Sequence, residues 1–389
     1  MKAFETTIKP LVKFGEGSSL CAGEKFKLLG CTKVLAGYDA NINPAVVDAV
    51  IGSIEKEGIE VVRYACSYSD GKDDGVIECR QLALDNKVDG FLAMGGGSTM
   101  DIVKAASLLV NVDLPEGAKS LVNYFVGHYN GPDLPRHAGL ISIPTTAGTG
   151  AEATRSCIIA SSALGVKATL SSQAAKADWV LLDPEMTKDL PPYFTAITGM
   201  DAIAHACEAL CCTRSNIYTV ICGKSLELSW KNLPIVYKEP HNMEARANMS
   251  LAAYLALTGE SYGNCGHSMA HAIGADFHVP HGHCCAWTAP VALYYTRNDC
   301  DHEIRLIARS FGLDDKSPTV AKDVANAMKK LVWSLGIKTP AEMGIKREDF
   351  IASAPKVMVD PIHLCCHTPL TEDKARELLG EVYDQKLYE

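Results

Sequence analysis

The chain has 389 residues, enough at roughly 100–200 residues per domain for two or three domains with a large buried core. Hydrophobic residues at 47% and charged residues at 21% exclude a disordered chain, and 31 glycines with 18 prolines exclude a collagen-like or low-complexity one. A formal charge of −9, with no basic block, argues against a nucleic-acid or anionic-membrane partner.

Met1–Thr6 lacks the apolar core of a secretory signal, and no apolar run reaches the roughly 18 residues needed to cross a bilayer. The fifteen cysteines are odd in number and include the adjacent pairs Cys211-Cys212, Cys284-Cys285 and Cys365-Cys366, a poor layout for a disulfide framework. Reduced thiols in a cytoplasmic protein are expected.

In chain order, Val34-Leu35-Ala36 reads as a strand, and Asn43-Pro44 opens a helix through Glu57 with Asn as its cap. Ile59–Val62 is the next strand and Asp73–Asn86 the next helix. Gly90–Met94 is a strand running into Gly95-Gly96-Gly97-Ser98, followed by a helix through Leu109. Further strands are expected at Gly139–Ile143 and Trp179–Leu182. Strands alternating with helices of this length predict βαβ units and a mainly parallel sheet. From Thr195 onward helical periodicity dominates, with breaks expected near Pro234, Pro240, Pro280, Pro290, Pro340, Pro355 and Pro361. The expected architecture is an N-terminal α/β dinucleotide-binding domain over 1–186 and an all-α metal- and substrate-binding domain over 187–389, meeting in a cleft.

Gly95–Asp101 lies where a strand ends and a helix begins, so bare backbone N–H groups and the helix dipole favour an anion there. Ser98 suits a phosphate contact or a helix cap, and Asp101 a structural role. The run is neither a G-x-G-x-x-G fingerprint nor a P-loop, and alone it suits a tight turn as well as a phosphate site. A second small-residue segment, Ile143–Thr154, gathers four threonine hydroxyls after a strand. Asp39, ending the first of the strands above, has the chemistry to accept from an adenosine ribose and to repel a 2′-phosphate, favouring NAD over NADP.

The helical half holds the more informative pattern. Asp201 and His205 are four apart, hence on one helix face among small apolar neighbours, and a buried carboxylate calls for a cation. His267 and His271 repeat that spacing, and His278, His281 and His283 follow around Pro280 and Gly282. Asp with two or three His is the ligand set of an Fe or Zn site open to substrate. Either segment alone also suits hydrogen-bonded core residues; together they favour a metal. Cys207 with Cys211, and His283-Cys284-Cys285, are rival soft-ligand groups without the paired C-x-x-C of a structural zinc.

These motifs, in order, resemble those of the iron-containing (group III) metal-dependent alcohol dehydrogenase family over almost the whole chain. The resemblance is carried by Phe14–Ser18, Gly95–Asp101, Pro144–Glu152, Leu182-Asp183-Pro184, Thr198–Glu208, His267–His271 and Pro280-His281-Gly282. It implies that Asp201, His205, His267 and His281 hold Fe2+ (or Zn2+), and that His271 orients substrate or relays a proton. It implies pyrophosphate contacts from Gly96, Gly97 and Ser98, with Thr145, Thr146, Thr149, Thr154, Lys167 and Leu182 lining the rest of an NAD site that Asp39 selects. It also implies a homodimer or larger assembly.

The chain departs from the family pattern at Ser69-Asp70-Gly71, Leu257–Tyr262 and Cys365-Cys366-His367. The last two segments are expected to line the substrate pocket, and Glu260 and Tyr262 hint at a small polar aldehyde such as a diol, hydroxy-acid or sulfonated compound. The expected reaction is hydride transfer between NAD and a primary alcohol or its aldehyde. The competing readings are a metal- and NAD-dependent lyase resembling dehydroquinate synthase and a non-catalytic assembly protein of the same fold.

Overall fold

The computed structural model describes residues 10–68, 70–213, 219–258 and 263–389. Ser69, and the Gly259–Tyr262 part of the altered pocket segment with its Glu260 and Tyr262, lie outside them. Two compact units divide the chain: one runs up to Thr146 and resumes over Gly150–Lys188, the other comprises Ala147–Thr149 and Asp189–Glu389.

The first unit is built on a six-stranded sheet. Its strands are β1 (Leu11–Phe14), β2 (Lys33–Asp39), β3 (Glu60–Cys66), β4 (Gly90–Gly95), β5 (Gly139–Pro144) and β8 (Trp179–Leu182), in the order β1-β8-β5-β4-β2-β3, every pairing parallel. The central strand β4 is buried along its whole length, as a parallel strand covered on both faces must be. The edge strands β1 and β3 are largely exposed or half-exposed. Between β5 and β8, a separate antiparallel hairpin pairs β6 (Ser156–Ser161) with β7 (Val166–Ser171).

The helices of this unit are α1 (Ala22–Leu28), α2 (Pro44–Glu55), α3 (Asp73–Asn86), α4 (Gly97–Leu109) and the single turn α5 (Ala118–Leu121). Asn43 Oδ1 accepts from the Ala45 amide at 3.0 Å and Pro44 fills the first helical position, so α2 starts where its sequence says. Phe26, Val50, Ile51 and Ile54 pack on Val34, Ala36, Leu92, Met94, Ile141 and Ile143 of the sheet to form one core. Gly37 admits α4: a methyl group on it would lie 2.4 Å from Val103 Cγ2.

Strand β2 connects outward to β3, whereas β4 lies on the other side of β2 and leads to β5. The order therefore reverses between β2 and β4. Parallel sheets bind ligands beyond the carboxyl ends of the strands at such a switch point. The last residues of β2, β4 and β5 are Asp39, Gly95 and Pro144.

The second unit is helical: α6 (Pro192–Leu210), α7 (Thr219–Lys238), α8 (Met243–Leu257), α9 (Cys265–Phe277), α10 (His281–Tyr295), α11 (Asp301–Ser310), α12 (Val320–Ser334), α13 (Arg347–Ile351), α14 (Ala354–Val359) and α15 (Glu372–Asp384). Two expected breaks do not occur, because Pro234 lies inside α7 and Pro290 inside α10. A proline costs a helix one hydrogen bond, and burial of nearly all of α10 offsets that loss. Among the described residues, no helix is long and apolar enough to cross a membrane. All fifteen cysteines are free thiols, and all but Cys21 are buried.

The core of the first unit sets its stability. Leu92→Ala, at a fully buried position in the central strand, is expected to cost about 2–5 kcal/mol, read as a lower urea midpoint for that unit.

Candidate metal centre

Helices α6, α9 and α10 bring four side chains together. Asp201 and His205 sit one turn apart on α6, His267 opens the first turn of α9, and His281 is the first residue of α10. Asp201 Oδ1 lies 3.5 Å from His205 Nδ1, 3.7 Å from His267 Nε2 and 3.6 Å from His281 Nε2. One ligand atom from each of the four falls within 4.8 Å of all the others.

Small residues allow the approach. A methyl group on Gly282 would lie 2.4 Å from the Ile197 carbonyl oxygen, so glycine lets the start of α10 press on α6. Gly266 does the same for α9, since a methyl group there would lie 2.4 Å from Glu208 Oε1.

The quartet is chemically incomplete by itself. Asp201 is 1% exposed, and its Oδ1 and His205 Nδ1 are buried without a hydrogen-bond partner. Separations of 3.5–3.7 Å are at or beyond the limit of a hydrogen bond, yet they suit ligands each ~2.1 Å from a shared ion, whose tetrahedral edge is about 3.4 Å. Burial alone would raise the Asp201 carboxyl, but the facing imidazoles hold it far below the usual carboxylate range. Burial brings His205 down to about 4, so its ring is neutral and one ring nitrogen offers a lone pair near neutral pH. One carboxylate oxygen and three imidazoles, close together and buried except for the half-buried His281, fit a divalent Fe or Zn ion.

A layer of partners orients the ligands. Glu208, fully buried two turns beyond Asp201 on α6, places Oε1 2.9 Å from His267 Nδ1, while its Oε2 accepts from the Asn264 and His267 amides at 2.5 and 3.2 Å. Burial opposes its ionisation, but His267 and these amides hold the Glu208 carboxyl below its ordinary value. The i, i+7 spacing from Asp201 was visible in the sequence and is the signal that would have found this residue.

His271, one turn after His267, stands outside the quartet with its ring centre 5.0 Å from that of His281. Its Nδ1 is 2.5 Å from Asp360 Oδ2. Burial pushes the Asp360 carboxyl up, and the His271 contact and the Ile362 amide outweigh that, leaving it below its ordinary value. No sequence motif marked Asp360, which comes from a segment 89 residues away.

His283 and His278 stand outside the quartet, whereas one rival cysteine reaches its edge. His283 contacts Tyr193 Oη through Nδ1 and the Lys338 carbonyl through Nε2, each at 2.8 Å. His278 is exposed at the end of α9. Cys285 Sγ reaches the edge of the quartet, 3.4 Å from His281 Nε2, and burial pushes this thiol up to about 12. Among the described residues, the quartet is the single metal-like group of this kind.

In the first unit, the glycine turn starts α4 at Gly97 with Gly96 as its cap, so Ser98 is inside the helix and does not cap it. Asp101 Oδ2 accepts from the Ile158 amide at 3.0 Å, a structural role. Thr146 Oγ1 is buried without a hydrogen-bond partner, and a methyl group on Gly96 would lie 3.7 Å from it. The Thr145 amide donates to the Gly95 carbonyl at 3.0 Å, which ties the two segments.

Thr154 Oγ1 points inward to the Ser156 carbonyl (3.1 Å) and Lys104 Nζ (3.3 Å), and Leu182 is fully buried in the sheet. Lys167 Nζ pairs with Asp70, from one of the departing segments, at 3.2 Å. Asp39 Oδ1 accepts from the Asn41 amide at 2.9 Å. Thr149 belongs to the helical unit's short Ala147–Thr149 piece.

Residues 10–184 match the sequence model of iron-containing alcohol dehydrogenase, and residues 195–383 that of the C-terminal region of the Fe-containing alcohol dehydrogenase family. The chain is 31% identical to choline dehydrogenase of Bacillus subtilis, with 93% of this chain and 90% of that protein covered. The chain belongs to the iron-containing alcohol dehydrogenase family. It is also 33% identical to sulfoacetaldehyde reductase of Bilophila wadsworthia, covering 90% of this chain and 91% of the relative. Among solved structures, an alcohol dehydrogenase from Oenococcus oeni superposes with a TM-score of 0.90 at 28% identity, covering 98% of this chain and 100% of the other. As a member of this family the protein is an oxidoreductase, and its N-terminal α/β and C-terminal helical organisation is the family fold.

The Glu208 contact has a measurable consequence. Glu208→Gln is expected to weaken retention of a divalent ion about 10–100-fold, by loosening His267, while leaving the helical content unchanged. Competition with a chelator, followed by elemental analysis, measures it.

Proposed function

We propose that this protein is an NAD-dependent alcohol dehydrogenase acting reversibly on a small polar primary alcohol and its aldehyde. Asp201, His205, His267 and His281 would hold Fe2+, or Zn2+ in its place. The observation that carries the reading is the buried carboxylate among three imidazoles, with an oxygen and a nitrogen that no protein group satisfies. A divalent ion in that position supplies Lewis acidity toward an alcohol or carbonyl oxygen, and the dinucleotide carries the hydride.

The chain's own residues do the rest. Gly96, Gly97 and Ser98, at the amino end of α4, offer amides and a helix dipole to a pyrophosphate. Thr145, Thr146, Thr149, Thr154 and Lys167 serve the remainder of the dinucleotide as contacts or as supports of its loop, with Leu182 packed behind. Asp39, at the end of β2 beside the switch point, accepts from ribose hydroxyls and repels a 2′-phosphate. His271 takes the alcohol proton during oxidation and returns one during reduction.

Choline and sulfoacetaldehyde, in the names of two relatives, both carry their alcohol or aldehyde on a two-carbon chain that ends in a charged group. Their likeness supports a short, charged or hydroxylated substrate for this chain. The free buried thiols support a reducing, cytoplasmic setting, and a homodimer or larger assembly follows the family resemblance.

Under anaerobic, Fe2+-replete conditions, NADH consumption on a panel of short aldehydes is expected to exceed NADPH consumption. His267→Ala and His281→Ala are each expected to lose both bound metal and turnover; an active, metal-free variant overturns the assignment. Turnover confined to a phosphorylated keto-acid would favour the lyase instead. Replacing Asp39 by Gly is expected to raise the ratio of NADPH to NADH kcat/KM by about tenfold, equivalent to roughly 1.4 kcal/mol of removed repulsion. An unchanged ratio would remove Asp39 from the ribose.

A further inference from the structure

We propose that Asp360 is a positioning residue that fixes the tautomer of His271, so that the imidazole offers Nε2 as its proton acceptor. The inference rests on the dehydrogenase reading above, because the proton in question is that of the substrate alcohol. An ionised carboxylate only accepts hydrogen bonds, so the 2.5 Å contact between Asp360 Oδ2 and His271 Nδ1 requires the proton to sit on Nδ1. In the neutral ring Nε2 is then left with its lone pair. When Nε2 takes a proton, the imidazolium that forms already faces a carboxylate, and the bond becomes charge-assisted.

Asp360 is itself held still. Its Oδ1 accepts from the Ile362 amide at 2.9 Å, and its carbonyl accepts from His363 Nδ1 at 2.5 Å. Pro361 opens the 3-10 turn Pro361–Cys365 directly after it and restricts the backbone there. Both carboxylate oxygens are thus committed, one to the turn and one to the ring. His271 is fixed on its own side by α9, one turn beyond His267, and its ring centre lies 5.0 Å from that of His281 and 6.3 Å from that of His267. The tertiary contact therefore orients a ring beside the quartet and sets which of its nitrogens faces a carboxylate, without Asp360 belonging to the quartet.

A plain clamp between α9 and the Asp360 turn is the alternative, and Asp360→Asn separates the two. The variant is isosteric, and its amide oxygen still accepts from Ile362. Its NH2 group donates toward Nδ1 and so drives the ring proton onto Nε2. A clamp tolerates that exchange; a positioning residue does not. The expected result is a fall in kcat of about 10²-fold with KM within about threefold, at unchanged metal content and melting temperature.

Selective 15N-histidine spectra of the Zn2+-loaded protein, assigned through His271→Gln, give a second readout. They are expected to show Nδ1 protonated in the parent protein and Nε2 protonated in Asp360→Asn. An Nε2–H tautomer in the parent overturns the proposal, and so does a kcat within twofold of the parent when the proton has moved. If Asp360→Asn fails to fold, the parent spectrum still decides the tautomer. Should the parent turn over no aldehyde at all, the dehydrogenase reading fails while the spectrum still decides what Asp360 does to His271.

Discussion

A carboxylate buried in a helical interior, facing three imidazoles it does not pair with, is the constraint around which the second unit is arranged. Asp201 and Glu208 bring two negative charges into one apolar region of α6. His205 is neutral there, and an isolated buried carboxylate costs several kcal/mol. The divalent cation proposed for this site would balance Asp201, where further packing would not. Glycines 266 and 282 then become intelligible as the positions where α9 and α10 must approach α6 closely enough to deliver their ligands.

The α/β unit meets a different requirement. Its strand order reverses between β2 and β4, and the loop that follows β5 is braced from behind. Lys104, fully buried, donates to the Ala151 and Ser156 carbonyls at 2.7 and 2.8 Å and approaches Thr154 Oγ1. Asp101 anchors Ile158 from the same helix. The threonine-rich loop is therefore preorganised from behind by α4, the helix whose amino end carries the glycine turn. Thr154 acts within that scaffold, whereas the Thr146 hydroxyl has no protein partner.

Much of this was legible in the residues. Strands at Gly139 and Trp179, the cap at Asn43, and the placing of Asp201 and His205 on one face of a helix all follow from local periodicity and spacing. Short edge elements were not. Strand β1 is only four residues long and wholly exposed, so it carries no hydrophobic alternation, and β6 puts apolar residues on both faces, with Ile158 half-buried and Ile159 buried. Pro234 and Pro290 misled in the opposite sense, because local propensity predicts breaks that the packing of α7 and α10 overrides.

By itself the sequence determined the order of elements, the chemistry of the donor set and the glycine turn, since each depends on neighbours within one or two helical turns. Only the tertiary structure decided which histidines converge and which do not: His283 is turned to Tyr193 and Lys338, and His278 to the surface, though both lie as near in sequence to His281 as any ligand does. It also brought Asp360 to His271 across 89 residues. Periodicity gives the face of a helix on which a side chain stands. What that face meets is set by how helices cross, and crossing depends on volumes and close approaches summed over the whole core.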